Sequence, residues 1–178
     1  MIAGAGDMGY HLAEQLSYDN KDITLIDTDR EVLDYVSSKL DVLTVQGDAT
    51  SFEVLKRANV NKASMVLAVT TSEKTNIVTA VLAKQLGAKR VMARVRNHSY
   101  MEPDNMSYFQ NLGIDNLISP TMLCSKHIFN MIENSSFTEV FDFEGGKLNI
   151  VGITLDQSNP LVNQRIMDTK SNPIFEDI

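Results

Sequence analysis

The residues able to do chemistry gather at the start of this chain. Gly4-Ala5-Gly6-Asp7-Met8-Gly9 spells G-x-G-x-x-G, and an acidic residue, Asp27, follows about 20 residues further on. A glycine-rich turn that opens a helix presents bare peptide N–H groups and the positive end of a helix dipole, a setting for phosphates. In such a turn Gly4 permits the tight bend, Gly6 lets the backbone approach the phosphates, and Gly9 lets the helix lie close to a sheet. A carboxylate at the end of the next strand accepts hydrogen bonds from ribose hydroxyls. It also repels a 2′-phosphate, so the pattern fits NAD or an adenosine nucleotide better than NADP. The competing reading is a plain glycine turn with Asp27 as a helix cap.

Other polar residues fall where strands are expected to end. Asp48, in Gly47-Asp48-Ala49-Thr50, could accept from an adenine or a ribose, or cap a helix starting near Ser51. Thr70 and Thr71 end the run "SMVLAVT" and could line the middle of a cofactor; Thr70 with Glu73 also makes a capping box. Arg94 lies in the apolar run "VMARV", where a buried guanidinium needs an anionic partner. A phosphate is one candidate, and an internal carboxylate such as Glu73 is the other. Arg96 shares the strand face of Arg94, and one of the two could simply reach solvent. His98 is the best available acid–base residue, but it has no carboxylate to orient it, which favours a polar surface histidine. Cys124, the only cysteine, sits mid-helix among apolar neighbours and reads as inert packing. His11, His98 and His127 show no metal-ligand spacing with it.

Positioning these residues requires alternating strands and helices. "MGYHLAEQL" puts Met8, Leu12 and Leu16 on one helical face, and "DITLID" follows as a buried strand. "DREVLDYVSSKL" is an amphipathic helix with Val32, Leu33 and Val36 inward. Strand "DVLTVQ", short helix "SFEVLKRANV" and strand "SMVLAVT" come next. A helix then runs to about Leu86, with Gly87 as its stop. "RVMARV" is a fifth strand, "EPDNMSYFQNLG" a helix and "DNLISP" a sixth strand. This rhythm predicts a doubly wound, Rossmann-like α/β domain: a parallel sheet with helices on both faces, binding ligands at the carboxyl ends of its strands. The first strand has only Met1 to Ala3 to form from. After Pro120 the pattern changes. Residues 121–133 form one more helix, with Met122, Ile128, Phe129 and Ile132 apolar. Two alternating strands flank Glu144-Gly145-Gly146-Lys147, and a turn with a short helix start follows in "DQSNPLVNQRIMDT".

The bulk numbers narrow the function classes. The chain has 178 residues, 43% of them apolar, enough to bury a core. Its formal net charge of -7, without a basic cluster, argues against a nucleic-acid partner. No stretch reaches the roughly 20 apolar residues that span a bilayer, so direct membrane insertion is not expected. Gly, Asp and His follow Met1 too soon for a secretory leader, and one cysteine fits a reducing compartment.

In order, "GAGDMG", "DITLIDTD", "VQGDAT", "VLAVTTSEKTN" and "ARVRN" resemble the nucleotide-binding regulatory domain of TrkA-type potassium uptake proteins, the RCK or KTN domain. The resemblance covers about residues 2–133, and the five motifs together are far more specific than any one. "VGITLDQSNPLVNQRI" is similar to the opening of the small C-terminal domain that follows in that family. The resemblance implies a non-catalytic sensor that binds NAD(H) or ATP/ADP and regulates a membrane-embedded potassium transporter subunit. It implies binding residues at Gly4, Ala5, Gly6, Asp7, Met8 and Gly9, at Asp27, Thr70, Thr71 and Arg94, and less securely at Asp48. It further implies a cytoplasmic location at the inner face of the membrane. Self-association would run through the helix at 121–133, giving a dimer, a tetramer or a larger ring. The expected division is 1–134 for the Rossmann-like domain, and 135–178 for a hairpin linker and the first part of a truncated C-terminal domain. One rival reading is an NAD-dependent oxidoreductase fragment lacking its catalytic lobe, and another is a generic protein-interaction module with a degenerate nucleotide loop.

Overall fold

The computed structural model describes residues 1–19, 21–133, 139–143, 148–152, 154, 155, 157, 159 and 162–165. Two compact units divide the chain, Met1–Leu123 and Cys124–Ile178. In the first, strands and helices alternate: β1 (Ile2–Ala3), α1 (Asp7–Tyr18), β2 (Thr24–Asp27), α2 (Arg30–Lys39), β3 (Leu43–Gln46), α3 (Phe52–Arg57), β4 (Val66–Ala68), α4 (Glu73–Gln85), β5 (Val91–Arg94), α5 (Pro103–Asn111) and β6 (Asn116–Ile118). Short 3-10 turns fill Val60–Lys62 and His98–Met101. Then α6 (Pro120–Glu133) starts within the first unit, and the division falls inside it.

All six strands are parallel, in the order β3-β2-β1-β4-β5-β6. The order reverses between β1 and β4, which is the switch point where such sheets open a crevice. Strand β1 is only two residues long, yet it is central. Its neighbourhood is bonded on both sides: Gly4 N–H donates to Ile26 O at 2.8 Å, and Val69 N–H donates to Ala3 O at 2.8 Å. Neighbours on two edges make two residues sufficient.

Period-two alternation sends successive side chains to opposite faces and builds two cores. Ile2 and Leu25 join Ala13, Leu33 and Val36 on the side of α1 and α2, with Met8, Leu12 and Leu16 packed against them. Ala3 and Ile26 join Leu55, Val66, Ala80, Ala83, Val91 and Ala93 on the side of α3, α4 and α5. Gly87 and Gly113 take φ of +104° and +92° just past the ends of α4 and α5, as helix stops require.

In the second unit, β7 (Glu139–Phe143) and β8 (Leu148–Gly152) pair antiparallel, with Phe141 opposite Ile150. The expected connection at Glu144 to Lys147 lies outside the described residues. Among the described residues of 154–165, Gln157, Val162 and Asn163 lie in turns and Asn159 in a bend, and the remainder of the expected short helix lies outside the described residues. Among the described residues, no helix is long and apolar enough to cross a membrane, and no group of His, Cys, Asp and Glu is placed to hold a metal ion.

Candidate functional site

The crevice at the switch point is a cleft of about 450 Å³, lined by the residues that follow β1, β2, β3 and β4. That volume lies inside the roughly 300–1,000 Å³ usual for small-molecule sites. Of the residues singled out in the sequence, Gly4, Gly6, Asp7, Met8, Asp27, Asp48, Thr70 and Thr71 line it. Ala5, Gly9 and Arg94 do not.

The three loop glycines answer to different demands. Gly4 has φ of +101°, and a Cβ there would sit 2.8 Å from Thr70 N. At Gly9 a Cβ would fall 1.8 Å from Gly4 O, so α1 rests directly on the loop. Both are needed for the chain to fold this way. A Cβ on Gly6 would meet nothing within 4 Å. Gly6 is the N-cap of α1, with extended backbone at φ -65° and ψ -171°, and the cleft lies in front of it. The fold leaves that position free, which is what a close-approaching ligand needs.

Behind the loop, Asp27 ties it down. Its Oδ2 accepts from Ala5 N–H at 2.7 Å and its Oδ1 from Asp29 N–H at 3.0 Å. Asp27 is therefore no helix cap. The cap of α2 is Asp29, whose side chain accepts from Glu31 and Val32 N–H. Ala5 itself is buried, and its contribution is that one backbone bond. By contrast α1 has no side-chain cap, because its N-cap is a glycine. Its first-turn N–H groups lack intrahelical partners and carry the positive end of the dipole.

Across the cleft, Asp48 Oδ1 accepts from the Thr50 N–H and from its hydroxyl, both at 2.8 Å. These bonds hold the Asp48 carboxyl below the ordinary carboxylate range, so it stays ionised. It shapes the turn before α3 rather than capping that helix, where Ser51 is the N-cap. Arg57 lies beside this turn and donates to Gln46 O.

Thr70 is not the cap of α4. Strand β4 ends at Ala68, the turn runs two residues beyond the place a Thr70 cap requires, and Ser72 takes the cap by accepting from Thr75 N–H at 3.3 Å. Thr70 is held instead by Asn76, which is 1% exposed. Asn76 Oδ1 accepts from Thr70 N–H and Oγ1, at 2.8 and 2.7 Å. Its Nδ2 donates to Thr70 O and Arg94 O, at 3.0 and 2.9 Å. Asn76 does not stand out in the sequence, nor do Asp29, Ser72 and Thr75, and the last three line the cleft. The available signal for Asn76 is an amide one turn into the helix, on a face of small residues with Thr79, Ala80 and Ala83.

Arg94 departs from expectation in two ways. It is half-buried rather than buried, because β5 alternates and Arg94 closes it on the less covered face. Glu73 is not its partner: Glu73 Oε2 accepts from the backbone N–H groups of Arg96 and Asn97, at 2.8 and 2.9 Å. Those bonds lower the Glu73 pKa. Arg96 and His98 are exposed. Cys124 is exposed as well, not packed, since residues 121–129 of α6 all face solvent in this chain.

The TrkA-N domain family matches residues 1–120, two thirds of the sequence. The chain belongs to that family. The chain is 34% identical over 167 residues to the Trk system potassium uptake protein TrkA of Halomonas elongata, covering 93% of this chain and 36% of that one. It is 34% identical over 168 residues to the Trk system potassium uptake protein TrkA homolog of Archaeoglobus fulgidus, covering 94% and 38%. The chain thus spans just over a third of the length of these curated relatives. The TrkA-N domain of the inner membrane protein ybaL from Escherichia coli has the same fold: TM-score 0.64 at 17% identity, over 74% of this chain and 93% of that one. The GsuK RCK domain aligns with TM-score 0.59 at 25% identity, over 75% and 28%. Two further structures with this fold are GsuK bound to ADP and the GsuK channel bound to NAD, with TM-scores of 0.59 and 0.57 at 24% and 16% identity.

Proposed function

We propose that this TrkA-N domain is the nucleotide-binding sensor of a Trk-type potassium uptake regulator, a non-catalytic subunit at the cytoplasmic face of a membrane-embedded potassium transporter. One observation carries the reading: Gly6 keeps open space at the mouth of an uncapped helix, although nothing in the folded protein requires a glycine there. In this reading the first-turn N–H groups of α1 face the phosphates, and Asp27 receives ribose hydroxyls while it holds the loop. Thr70 and Thr71 border the middle of the ligand. NAD(H) and ATP/ADP are the ligand class, in line with the nucleotides held by the GsuK structures.

The cleft lining also favours sensing over turnover. Among the described residues that line it, the ionisable ones are Asp7, Asp27, Asp29 and Asp48, and no histidine, cysteine, lysine or tyrosine faces a ligand there. A sensor needs only a difference in affinity between two conformations. Self-association through the apolar residues of α6 completes the proposal, because Ile128, Phe129 and Ile132 are all more than half exposed. Titration of NAD, NADH, ADP and ATP by calorimetry, with the mass followed by light scattering, tests the whole reading. Saturable binding to an oligomer without turnover is expected, and absence of binding by any of the four overturns it.

A further inference from the structure

We propose that the first turn of α4 links the cleft to the segment leaving β5, so that a nucleotide seated against residues 70–75 tightens residues 96–101 and, through them, α5. This rests on the cleft being a nucleotide site.

The turn has two working sides. Thr70, Thr71, Ser72 and Thr75 line the cleft. From the same turn, Glu73 Oε2 grips the N–H groups of Arg96 and Asn97, at 2.8 and 2.9 Å. Asn76 sits between them with its hydrogen-bonding capacity filled, two acceptor bonds from Thr70 and donor bonds to Thr70 O and Arg94 O. A shift of Thr70 relative to the end of β5 must therefore break a bond inside a buried site, which is costly. The two strand ends move as one body or not at all.

The connection continues beyond β5. Asn97 Oδ1 caps the following 3-10 turn by accepting from Ser99 N–H and Oγ, at 3.1 and 2.9 Å. Ser99 O accepts from Asn105 Nδ2 at 2.8 Å, and the Tyr100 ring packs on Phe109 of α5 with centroids 5.1 Å apart. Helix α5 in turn exposes Tyr108 to solvent, and Leu112 at its C-cap is exposed as well. A chain of hydrogen bonds and one ring contact thus runs from the cleft to an apolar surface. Asn76 and Glu73 are positioning residues in it, and neither lines the cleft.

Hydrogen exchange read by mass spectrometry, on the whole chain with and without saturating NAD, tests the link. In the native protein, NAD should slow exchange at residues 96–101 by about threefold or more, beyond its direct effect on the cleft loops. Glu73→Ala, at a solvent-accessible position, should fold normally, keep the protection at 70–72 and lose it at 96–101. Coupling is reciprocal, so the NAD affinity of that variant should fall by about the same threefold. Asn76→Asp supplies a readout that packing alone does not give. Its ionised carboxylate can accept from Thr70 but cannot donate to the two carbonyls, whereas the protonated form regains one O–H donor for one of them. Protection at 96–101 should then return as the pH is lowered, in that variant and not in the native protein. If NAD binds and protects 70–75 but leaves 96–101 unchanged, the link is wrong and the nucleotide site stands. If neither NAD nor ADP binds at all, both fail together.

Discussion

Gly6→Ala separates what the fold requires from what a ligand requires. A methyl group at this position meets no atom within 4 Å, and the backbone at φ -65° and ψ -171° accepts an alanine. Two small effects on folding oppose each other. Alanine is a poorer N-cap than glycine, by about 0.5–1 kcal/mol. Replacing glycine also restricts the unfolded chain, which stabilises by roughly 0.4–1 kcal/mol. The net change in stability should stay within about 0.5 kcal/mol. Binding is another matter, because the methyl stands where a phosphate would approach the α1 N-terminus. Forcing an extra carbon into a filled site costs roughly 1–3 kcal/mol, so NAD affinity should fall about 5- to 150-fold. Gly9→Ala is the opposite case: its Cβ would lie 1.8 Å from Gly4 O, and the variant should lose about 3 kcal/mol or more of stability. Urea denaturation gives the stabilities and calorimetry the affinities. A Gly6→Ala protein that binds NAD as tightly as the native one would refute the placement of the phosphates.

Asp27→Ala removes the acceptor proposed for the ribose and the bond that holds Ala5 N–H, and should weaken NAD binding by about 1–3 kcal/mol in the same calorimetry; unchanged affinity excludes that role. Binding of magnesium-free ATP should strengthen as NaCl is raised toward about 0.5 M, because added salt screens the acidic lining, while NAD responds less. Asp115 is driven up by burial, but the Val91 N–H and Lys84 bonds outweigh this and leave its pKa below the ordinary 3.8. Its contribution is present above the ordinary carboxylate range and lost as the pH falls through it, so Asp115→Asn should cost about 1 kcal/mol at neutral pH and flatten the acid limb of thermal unfolding. Phe129→Glu should shift the oligomer toward monomer in light scattering, and an assembly that survives it does not use that face of α6.

What the sequence disclosed depended on how local the determining physics was. The strand–helix alternation and the glycine loop are local, and the six-stranded parallel sheet followed from them. Strand β1 formed from two residues because β2 and β4 supply partners on both sides, a fact of topology and not of its own sequence. The caps were harder to place. "DTD" and "TTSE" each contain more than one residue able to cap, and the choice of Asp29 over Asp27 and of Ser72 over Thr70 depends on where the preceding strand stops. Arg94 looked buried because an apolar run does not reveal how well each face of a strand is covered. Cys124 looked packed because apolar neighbours on a helix do not reveal whether anything lies against them. Asn76 was missed because its bonds reach Thr70 and, 18 residues away, Arg94.

The charge of the cleft constrains how the proposed nucleotide would be held. Four carboxylates line it, and no lysine or arginine does among the described residues. Asp48 is held ionised by Thr50. Attraction for phosphate must therefore come from peptide dipoles, chiefly the uncapped first turn of α1, which amounts to about half a positive charge. Half a charge at short range can hold a pyrophosphate whose oxygens touch the N–H groups, because a hydrogen bond to a charged acceptor is strong. It offsets a third phosphate less well, because Asp7, Asp29 and Asp48 also line the cleft, so magnesium-free ATP should bind the proposed site more weakly than ADP or NAD. A dinucleotide carries two phosphates rather than three, so in the proposed site it would meet less repulsion from these carboxylates. In the proposed site the same lining would weaken general phosphate binding and favour nucleotides with fewer phosphates, a selectivity drawn from repulsion as much as from contact.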